Sequence, residues 1–530
     1  MPNVIGAGLS AAVATAGIGV AHARGARSPL RNNVGTSRLR SIHYAPTGRA
    51  RRRRGIDPRD SWPASTNHPT GSHRVTSERS EASTMARPRT RRSVAIIALA
   101  LSLAGVVSIP APASAAFSQP LSISPAGYDS YDQQQTYDRQ GDALFVWVRA
   151  SHTYPHPRYV EFKSRSYNGR WGTTTTLSPA GQAPHSPQVA VDDDGDAIVA
   201  WRAYNGVDNS IYARRISKGG ILGPLITVSA GGVQAHGTNV AIDSDGDAVV
   251  TWAEWHDDGR VFPMMRRYSR SGSLSPAVVL ASTPSDAETP AVAYDRDGDA
   301  VLAWANDNVV QARTLGADGT ISELKTVSAP LSPIDRHFTA KVTVDRDGDA
   351  LVTWRHWSDQ GQSTSVWGRW VARDGTVGKV RQLTPALHTD VVNHSVAGDL
   401  DGDMLLTWDL FSTGHLYAVA ISPAQTVGQP VLLSTWGRLH SVRLDDDGDG
   451  IVVWQGKGLN NSVGSVEARR VTRSGTFGTT EVIVGIGVDP TVAVTHEGRA
   501  AVAWERRFQV DLQIQVSVDP YFVTAQGIRS

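Results

Sequence analysis

Acidic side chains recur at a fixed spacing in this chain and are the residues best suited to metal chemistry. Six copies of a D-x-D-G-D segment place three carboxylates at alternate positions. Ca²⁺ prefers six to eight oxygen ligands, so each copy could supply part of a site. An Asx turn that closes a hairpin explains the same residues without a metal. Both interpretations apply to the acids of the first four copies: Asp192, Asp194, Asp196, Asp243, Asp245, Asp247, Asp295, Asp297, Asp299, Asp345, Asp347 and Asp349.

The acidic segment belongs to a longer unit that repeats eight times. In VAIDSDGDAVVTW (240–252), an apolar pair precedes the turn, and an alternating apolar strand that ends in Trp follows it. Successive turn glycines are 54, 51, 52, 50, 54, 46 and 50 residues apart. Repeats of this length with strand-like content indicate a β-propeller. The turn glycines are Gly141, Gly195, Gly246, Gly298, Gly348, Gly402, Gly448 and Gly498.

Each unit is predicted to form four antiparallel strands, the first two joined by the D-G-D hairpin. The second strand is apolar on both faces, which indicates that it is covered on both sides by neighbouring blades. The Trp at its end, such as Trp252, is then a packing residue rather than a sugar-stacking one. SQPLSIS from Ser118 resembles an orphan fourth strand that would complete the last blade and close the ring, although YFVTAQG near the C-terminus could compete. We therefore predict an all-β, eight-bladed propeller.

The two faces of such a ring differ. The D-G-D turns and the third-to-fourth turns share one face, which we expect to be uniform and acidic. The second-to-third and blade-to-blade loops share the other, here called the loop face, and binding residues tend to lie on such variable loops. Eleven of the twelve histidines after residue 115 are predicted to lie in these loops, although exclusion of His from packed strands explains part of this. They are His152, His156, His185, His236, His256, His337, His356, His388, His394, His415 and His440.

Aromatic residues accompany these histidines and could stack on a sugar or pack on a protein partner. The candidate ligand-binding residues on the loop face are Tyr204, Trp255, His256, His356, Trp357, Phe411, His415 and Trp436. A glycosidase or lyase would instead need two carboxylates roughly 5 to 9 Å apart. Glu254, Asp257, Asp258, Asp359 and Asp390 are available for this, but they belong to different blades. No G-x-S-x-G elbow and no phosphate-binding GxxxxGK[ST] loop occurs.

The charge of the chain is unevenly distributed. Residues 1–115 hold 17 of the 52 Lys and Arg but only 4 of the 50 Asp and Glu, so the remainder is acidic and is not expected to bind nucleic acid. Residues 85–115 have four arginines, an apolar run too short to span a membrane, and Ala113-Ser114-Ala115, which indicates a secretory signal peptide without a transmembrane anchor. Residues 1–84 are predicted to be disordered or untranslated. The absence of Cys excludes disulfides and thiolate metal sites.

The repeated unit resembles that of secreted bacterial β-propeller proteins, over roughly residues 116–530. The Asp box of sialidase-like propellers is similar, but there Trp follows Gly by three residues, whereas Trp201 follows Gly195 by six. The calcium-binding FG-GAP propeller repeat also resembles the D-x-D-G-D turn, with more Asp before Gly. These resemblances imply a propeller fold, and no catalytic residue is inferred from them.

Secretion, repetition and the lack of a catalytic motif predict a monomeric, extracellular binding module for a glycan or a cell-surface protein. The alternatives are a glycoside hydrolase or lyase and a purely structural surface protein. No catalytic residue is assigned, and calcium is the one cofactor that the sequence leaves open.

Overall fold

The computed structural model describes residues 117–281, 287–306, 308–329, 335–359, 361–457, 464–507 and 512–518, together with two short strands near the C-terminus. The predicted signal peptide at 85–115 and the segment before it lie outside the described residues. Within the described part, every named element is a β-strand, and no helix is long and apolar enough to cross a membrane.

The described residues form eight four-stranded antiparallel sheets. In seven of them, neighbouring strands follow one another along the chain. Blades 1 to 4 comprise β2 (Tyr128–Tyr137), β3 (Ala143–Ser151), β4 (Arg158–Arg165), β5 (Thr175–Thr176), β6 (Ala183–Val191), β7 (Ala197–Tyr204), β8 (Asn209–Ile216), β9 (Ile226–Thr227), β10 (Gln234–Ile242), β11 (Ala248–Trp255), β12 (Val261–Tyr268), β13 (Val278–Val279), β14 (Ala291–Tyr294), β15 (Ala300–Asn306), β16 (Val309–Leu315) and β17 (Lys325–Thr326). Blades 5 to 8 comprise β18 (Arg336–Val344), β19 (Ala350–Ser358), β20 (Ser363–Val371), β21 (Arg381–Gln382), β22 (Val391–Gly398), β23 (Met404–Leu410), β24 (Leu416–Ile421), β25 (Val431–Ser434), β26 (Gly437–Leu444), β27 (Gly450–Gly456), β28 (Val466–Val471), β29 (Glu481–Val484), β30 (Val488–Val494), β31 (Ala500–Arg507) and β32 (Leu512–Val518).

The ring is closed by the first strand of the described residues. β1 (Leu121–Ser122) pairs with β32 as the fourth strand of blade 8, with Leu121 opposite Val516. Val523–Thr524 and Gly527–Ile528 pair only with each other, so the C-terminal competitor does not supply this strand. The prediction of an eight-bladed propeller closed by an N-terminal strand is confirmed. Closure in this way removes the free sheet edge that would otherwise invite pairing with another chain.

The core lies between the blades, as the two-sided apolar pattern predicts. Trp201 of blade 2 packs against Leu144 and Val146 of blade 1 in one continuous cluster. All eight repeat tryptophans have no exposed surface, which confirms that they are packing residues: Trp147, Trp201, Trp252, Trp304, Trp354, Trp408, Trp454 and Trp504.

The first strand of each blade lies innermost, where it contacts the first strands of the neighbouring blades around a central channel. Most of these strands contain a bulge near the loop face, because one residue with positive φ interrupts the register with the second strand. Such a bulge bends the strand and redirects the side chains beside it. The positive-φ residues occupy equivalent positions in six blades: Asp132, Ser186, Gly237, Thr339, Leu439 and Asp489.

Candidate functional site

The acidic turns engage one oxygen of each first turn acid in a hydrogen bond, although among the described residues Asp192 Oδ2 is buried without a hydrogen-bond partner. In blade 2, Asp192 Oδ1 accepts the backbone N–H of Asp196 at 2.8 Å, and Asp196 Oδ1 accepts the N–H of Lys218 at 3.0 Å. Asp194 in the same turn pairs with Arg270 of blade 3 at 2.9 Å. All three acids of this turn therefore hold backbone or neighbouring blades in place. The eight turns define the Asp-turn face: 138–142, 192–196, 243–247, 295–299, 345–349, 399–403, 445–449 and 495–499.

The turn glycines are fixed by contact between blades as well as by their backbone angles. Gly246 has φ +88°, and a Cβ placed there would lie 2.8 Å from Asp192 Oδ2 of the preceding blade. No side chain can occupy that space unless the carboxylate moves. The same relation joins a first turn acid to the next turn glycine in five more pairs: Asp138–Gly195, Asp243–Gly298, Asp295–Gly348, Asp345–Gly402 and Asp399–Gly448.

Burial of the first turn acids perturbs their titration. It raises the pKa of Asp399 to about 6 and, with the neighbouring charge of Asp449, that of Asp445 to about 7. Among the described residues, no three or more His, Asp or Glu side chains converge as metal ligands. Calcium binding by the turns stays a prediction.

The residues at the channel end of the Asp-turn face are not uniformly acidic, so that expectation is wrong. A cavity of about 280 Å³ opens there. Its rim is formed by the residue after the first turn position, which differs between blades. The lining members are Arg139, Asp193, Ser244, Arg296, Leu400, Asp446 and His496. Burial raises the pKa of Asp446, and His496, Arg139 and Arg296 oppose that rise.

The loop-face mouth of the channel carries a strip of basic and aromatic side chains across blades 1 to 3. An Nη of Arg158 lies 2.7 Å from His185 Nε2, and an Nη of Arg202 lies 3.2 Å from His236 Nδ1. His185 and Arg202 are directly opposite each other in blade 2, so the two pairs are continuous. His236 then packs against Trp255, with ring centroids 4.6 Å apart. These five residues are called the basic strip.

The histidines of the basic strip act as neutral acceptors for arginine. Burial, and then the adjacent Arg158 guanidinium, lowers the pKa of His185. Burial, and then Arg202, lowers the pKa of His236 in the same way. Among the described residues, neither Arg158 nor Arg202 forms an ion pair with a carboxylate, and both side chains are half-buried. The strip therefore presents at the mouth two guanidinium groups that have no direct carboxylate partner among the described residues.

An acidic group lies beside the basic strip, at the junction of blades 8 and 1. The Asp132 N–H donates to Glu505 Oε1 at 3.1 Å, and the Ser186 N–H donates to Asp132 Oδ2 at 3.0 Å. Burial, with further contributions from Asp489 and Asp132, raises the pKa of Glu505 to about 7. Sequence reasoning missed this group, although alignment of the repeats would have shown that Glu505 follows the repeat Trp where most copies have an uncharged or basic residue.

The structure separates the predicted ligand-binding residues into three groups. Tyr204, Trp255 and His256 belong to blades 2 and 3, and Trp255 is 50% exposed. His356 and Trp357 belong to blade 5. Phe411, His415 and Trp436 belong to blade 6 and its junction with blade 7, where Arg438 donates to the Phe411 carbonyl at 3.0 Å. Only the first group adjoins the basic strip, and ligand binding by any of these residues stays a prediction.

The placement of the histidines in loops is partly wrong. His356 lies on β19 and packs 5.2 Å from His337 and 5.6 Å from Trp367, measured between ring centroids. The inner-strand histidines stay within their sheets, and His337 and His394 are buried there. Five lie on first strands: His185, His236, His337, His394 and His440.

The carboxylates considered for glycoside hydrolysis serve local contacts. Glu254 is buried and lies 3.1 Å from His256 Nε2. Asp258 pairs with Arg260 at 2.5 Å, and Asp390 accepts the N–H of Ser412 at 2.6 Å. Asp257 is exposed, and Asp359 accepts from Gln362.

No protein-family model and no curated protein matches the chain. Among solved structures, it is similar to a lectin from Burkholderia pseudomallei, at 11% identity over 67% of this chain and 100% of the lectin, with a TM-score of 0.45. It is also similar to an α-L-arabinanase from Penicillium chrysogenum, at 10% identity over 65% and 94% of the chains, with a TM-score of 0.38. A sialidase from Streptococcus pneumoniae matches at 11% identity over 76% and 70%, with a TM-score of 0.35. All three similarities are distant.

Proposed function

We propose that this propeller binds an acidic glycan at the loop-face mouth of its channel. The observation that carries the proposal is the basic strip, in which Arg158 and Arg202 donate to neutral histidines and have no carboxylate partner among the described residues. The signal-like segment at 85–115 supports the further proposal that the protein meets this ligand outside the cell.

An arginine that donates to a neutral histidine can still bind an anionic ligand. Its planar guanidinium can donate to both oxygens of a carboxylate, or to a sulfate, while one N–H remains on histidine. Because each histidine holds its arginine in position, little side-chain entropy is lost when the ligand binds.

The aromatic residues beside the strip favour a sugar as the carrier of the negative charge. Trp255 is 50% exposed and Tyr204 is 45% exposed, so both rings have free surface next to the arginines. A pyranose ring buries its apolar face on an aromatic side chain, while its acidic substituent reaches the guanidinium. A neutral glycan would leave both positive charges unpaired.

The test is titration of the purified protein with polygalacturonate, chondroitin sulfate and neutral dextran. We expect the wild-type protein to bind at least one acidic polymer and not dextran. R158Q and Trp255→Ala should weaken that binding by roughly 10-fold or more, the loss expected for one charged hydrogen bond or one stacked ring. Equal binding of dextran and the acidic polymers would contradict the proposal.

A matched control is R170Q, because Arg170 is exposed in a third-to-fourth turn on the other face. It changes the net charge as R158Q does and should bind like the wild-type protein. A loss in both variants would mean that net charge, rather than the basic strip, attracts the polymer.

A second function, acid-assisted cleavage of the bound glycan, is favoured by one observation. Glu505 has a pKa of about 7 and stands next to Asp132, beside the strip. A carboxylic acid that stays protonated near neutral pH can protonate a leaving glycosidic oxygen, while a nearby carboxylate assists from the other side.

A further inference from the structure

One position on the third strand of each blade varies greatly in the length of its side chain. It lies directly opposite the second residue of the second strand, as Arg215 lies opposite Ile198. We call it the seam position, because it adjoins the junction with the next blade. It holds a long side chain in four blades and a short one in the other four. The long ones are Arg215, Arg267, Trp370 and Arg470, and the short ones are Ser164, Thr314, Ala420 and Val518.

A long side chain at the seam position reaches the next blade. Arg215 of blade 2 donates to the Gly246 carbonyl at 2.7 Å and to the Tyr268 carbonyl at 2.6 Å, both in blade 3. Trp370 of blade 5 is 6% exposed and belongs to the same buried cluster as Met404 of blade 6. These side chains fill the space between neighbouring blades.

Blade 6 has Ala420 at the seam position, and a cavity of about 320 Å³ lies between blades 6 and 7. Its apolar wall is formed by Met404, Leu405, Ile421, Leu444 and Val471. The seam between blades 1 and 2, where the position is Ser164, has a smaller cavity of about 130 Å³. Phe162 lines that cavity, whereas blade 6 has Ala418 at the equivalent place. Short side chains in blade 6 therefore leave the larger space open.

The polar groups around the larger cavity already have partners. Arg473 is the one cation among the described residues that line it, and it pairs with Asp403 at 2.7 Å and with Asp401 at 3.4 Å. The hydroxyls of Thr472 and Ser474 lie 2.8 Å apart and bond to each other. A charged ligand would have to break the Arg473 pairs, so the lining favours a neutral one.

We propose that the seam between blades 6 and 7 binds a neutral aromatic molecule of indole size. The chain itself provides the precedent, because the indole ring of Trp370 fills the seam between blades 5 and 6. Burial of an aromatic ring against apolar walls is favourable, and 320 Å³ lies at the small end of the range for ligand pockets. This site adjoins the Asp-turn face, is separate from the basic strip and does not depend on the glycan proposal.

The first test locates the ligand directly. Crystals of the wild-type protein soaked in bromoindole should show an anomalous bromine peak between Ala420 and Val471. A420W crystals should show no peak there, because the introduced side chain places its own indole ring in the seam. A wild-type seam without bromine, or an equal peak in A420W, would overturn the proposal.

The second test measures affinity in solution by calorimetric titration with indole. The wild-type protein and A420S should bind alike, because Ser164 leaves a cavity open at the same position of blade 1. A420W and A420L should each bind at least about 10-fold more weakly, because both side chains occupy the space. A420L keeps the test valid if A420W does not fold. Equal affinity in wild-type and A420L protein, or no binding by the wild-type protein, would overturn the proposal.

A third titration tests the preference for a neutral ligand. Free tryptophan carries the same ring with two added charges, and it should bind the wild-type protein at least about 10-fold more weakly than indole, because the Arg473 and Asp403 charges already neutralise each other. Equal or tighter binding of tryptophan would overturn the assignment of a neutral ligand.

Discussion

The two faces of this ring use one scaffold in opposite ways. On the Asp-turn face, the same contacts recur from blade to blade, as when Asp192 fills the space above Gly246. On the loop face, the position after the repeat Trp holds six different residue types in the eight blades. Its occupants are Val148, Arg202, Ala253, Ala305, Arg355, Asp409, Gln455 and Glu505. Recurrence marks the contacts that hold the ring together, whereas this loop-face position differs in size and charge from blade to blade.

Among substitutions that distinguish the two faces, the largest change in the free energy of unfolding is expected at a turn glycine. Gly246 and Gly259 close hairpins with the same hydrogen bonds, at φ +88° and +80°, on the Asp-turn face and the loop face respectively. Nothing lies within 4 Å of a Cβ at Gly259, whereas Asp192 Oδ2 lies 2.8 Å from one at Gly246. G246A should lower the free energy of unfolding by about 2–4 kcal/mol and G259A by about 1–2 kcal/mol, measured by urea denaturation.

The excess in G246A is assigned to displacement of the Asp192 carboxylate. In a D192A background, where that carboxylate is gone, G246A should therefore cost less than in the wild-type background and approach the cost of G259A, because only the flexible Arg270 side chain, 3.2 Å from a Cβ, still has to move. Equal costs for the two glycine variants in the wild-type background would show that the contact between blades adds nothing.

The fold could be predicted almost completely from the sequence, because each of the eight repeats shows the same pattern of strands and packing residues. Trp252 and its equivalents recur only where neighbouring blades cover them, and the orphan strand at Ser118 supplies the closure. The site could be predicted only in part. Trp255 and Tyr204 stand out at strand ends, but the Arg158–His185 pair joins residues of different blades. This pair depends on the inner-strand bulges. A serine at position 186 does not indicate that the backbone there has a positive φ, so the bulge could not be predicted.

An intermediate effect is expected at Glu505, on the loop face. Folding raises its pKa from 4.5 to about 7, so its contribution to stability is present below pH 4.5 and is lost as pH rises through 7. E505Q cannot ionise and should be more stable than wild-type protein at pH 8 by on the order of 1–2 kcal/mol, and equal to it near pH 4. Urea denaturation at the two pH values measures this.

The control is E323Q, because the Glu323 side chain is 92% exposed, and this variant should show no such dependence on pH. The same E505Q protein, incubated with the bound acidic polymer, tests cleavage through the release of reducing ends. If E505Q differs from wild-type protein by the same amount at both pH values, the burial of an ionised Glu505 is not the cause.

The smallest effect on stability, and the most direct test of the division between the faces, comes from two matched arginines. Arg202 belongs to the basic strip, and Arg270 pairs with Asp194 on the Asp-turn face. Melting temperature and affinity for the acidic polymer should be measured on R202Q and R270Q side by side. We predict that R202Q loses affinity at an unchanged melting temperature, whereas R270Q melts slightly lower and binds normally. Normal binding by R202Q, or a loss of binding in R270Q equal to that in R202Q, would contradict the assignment of recognition to the mouth.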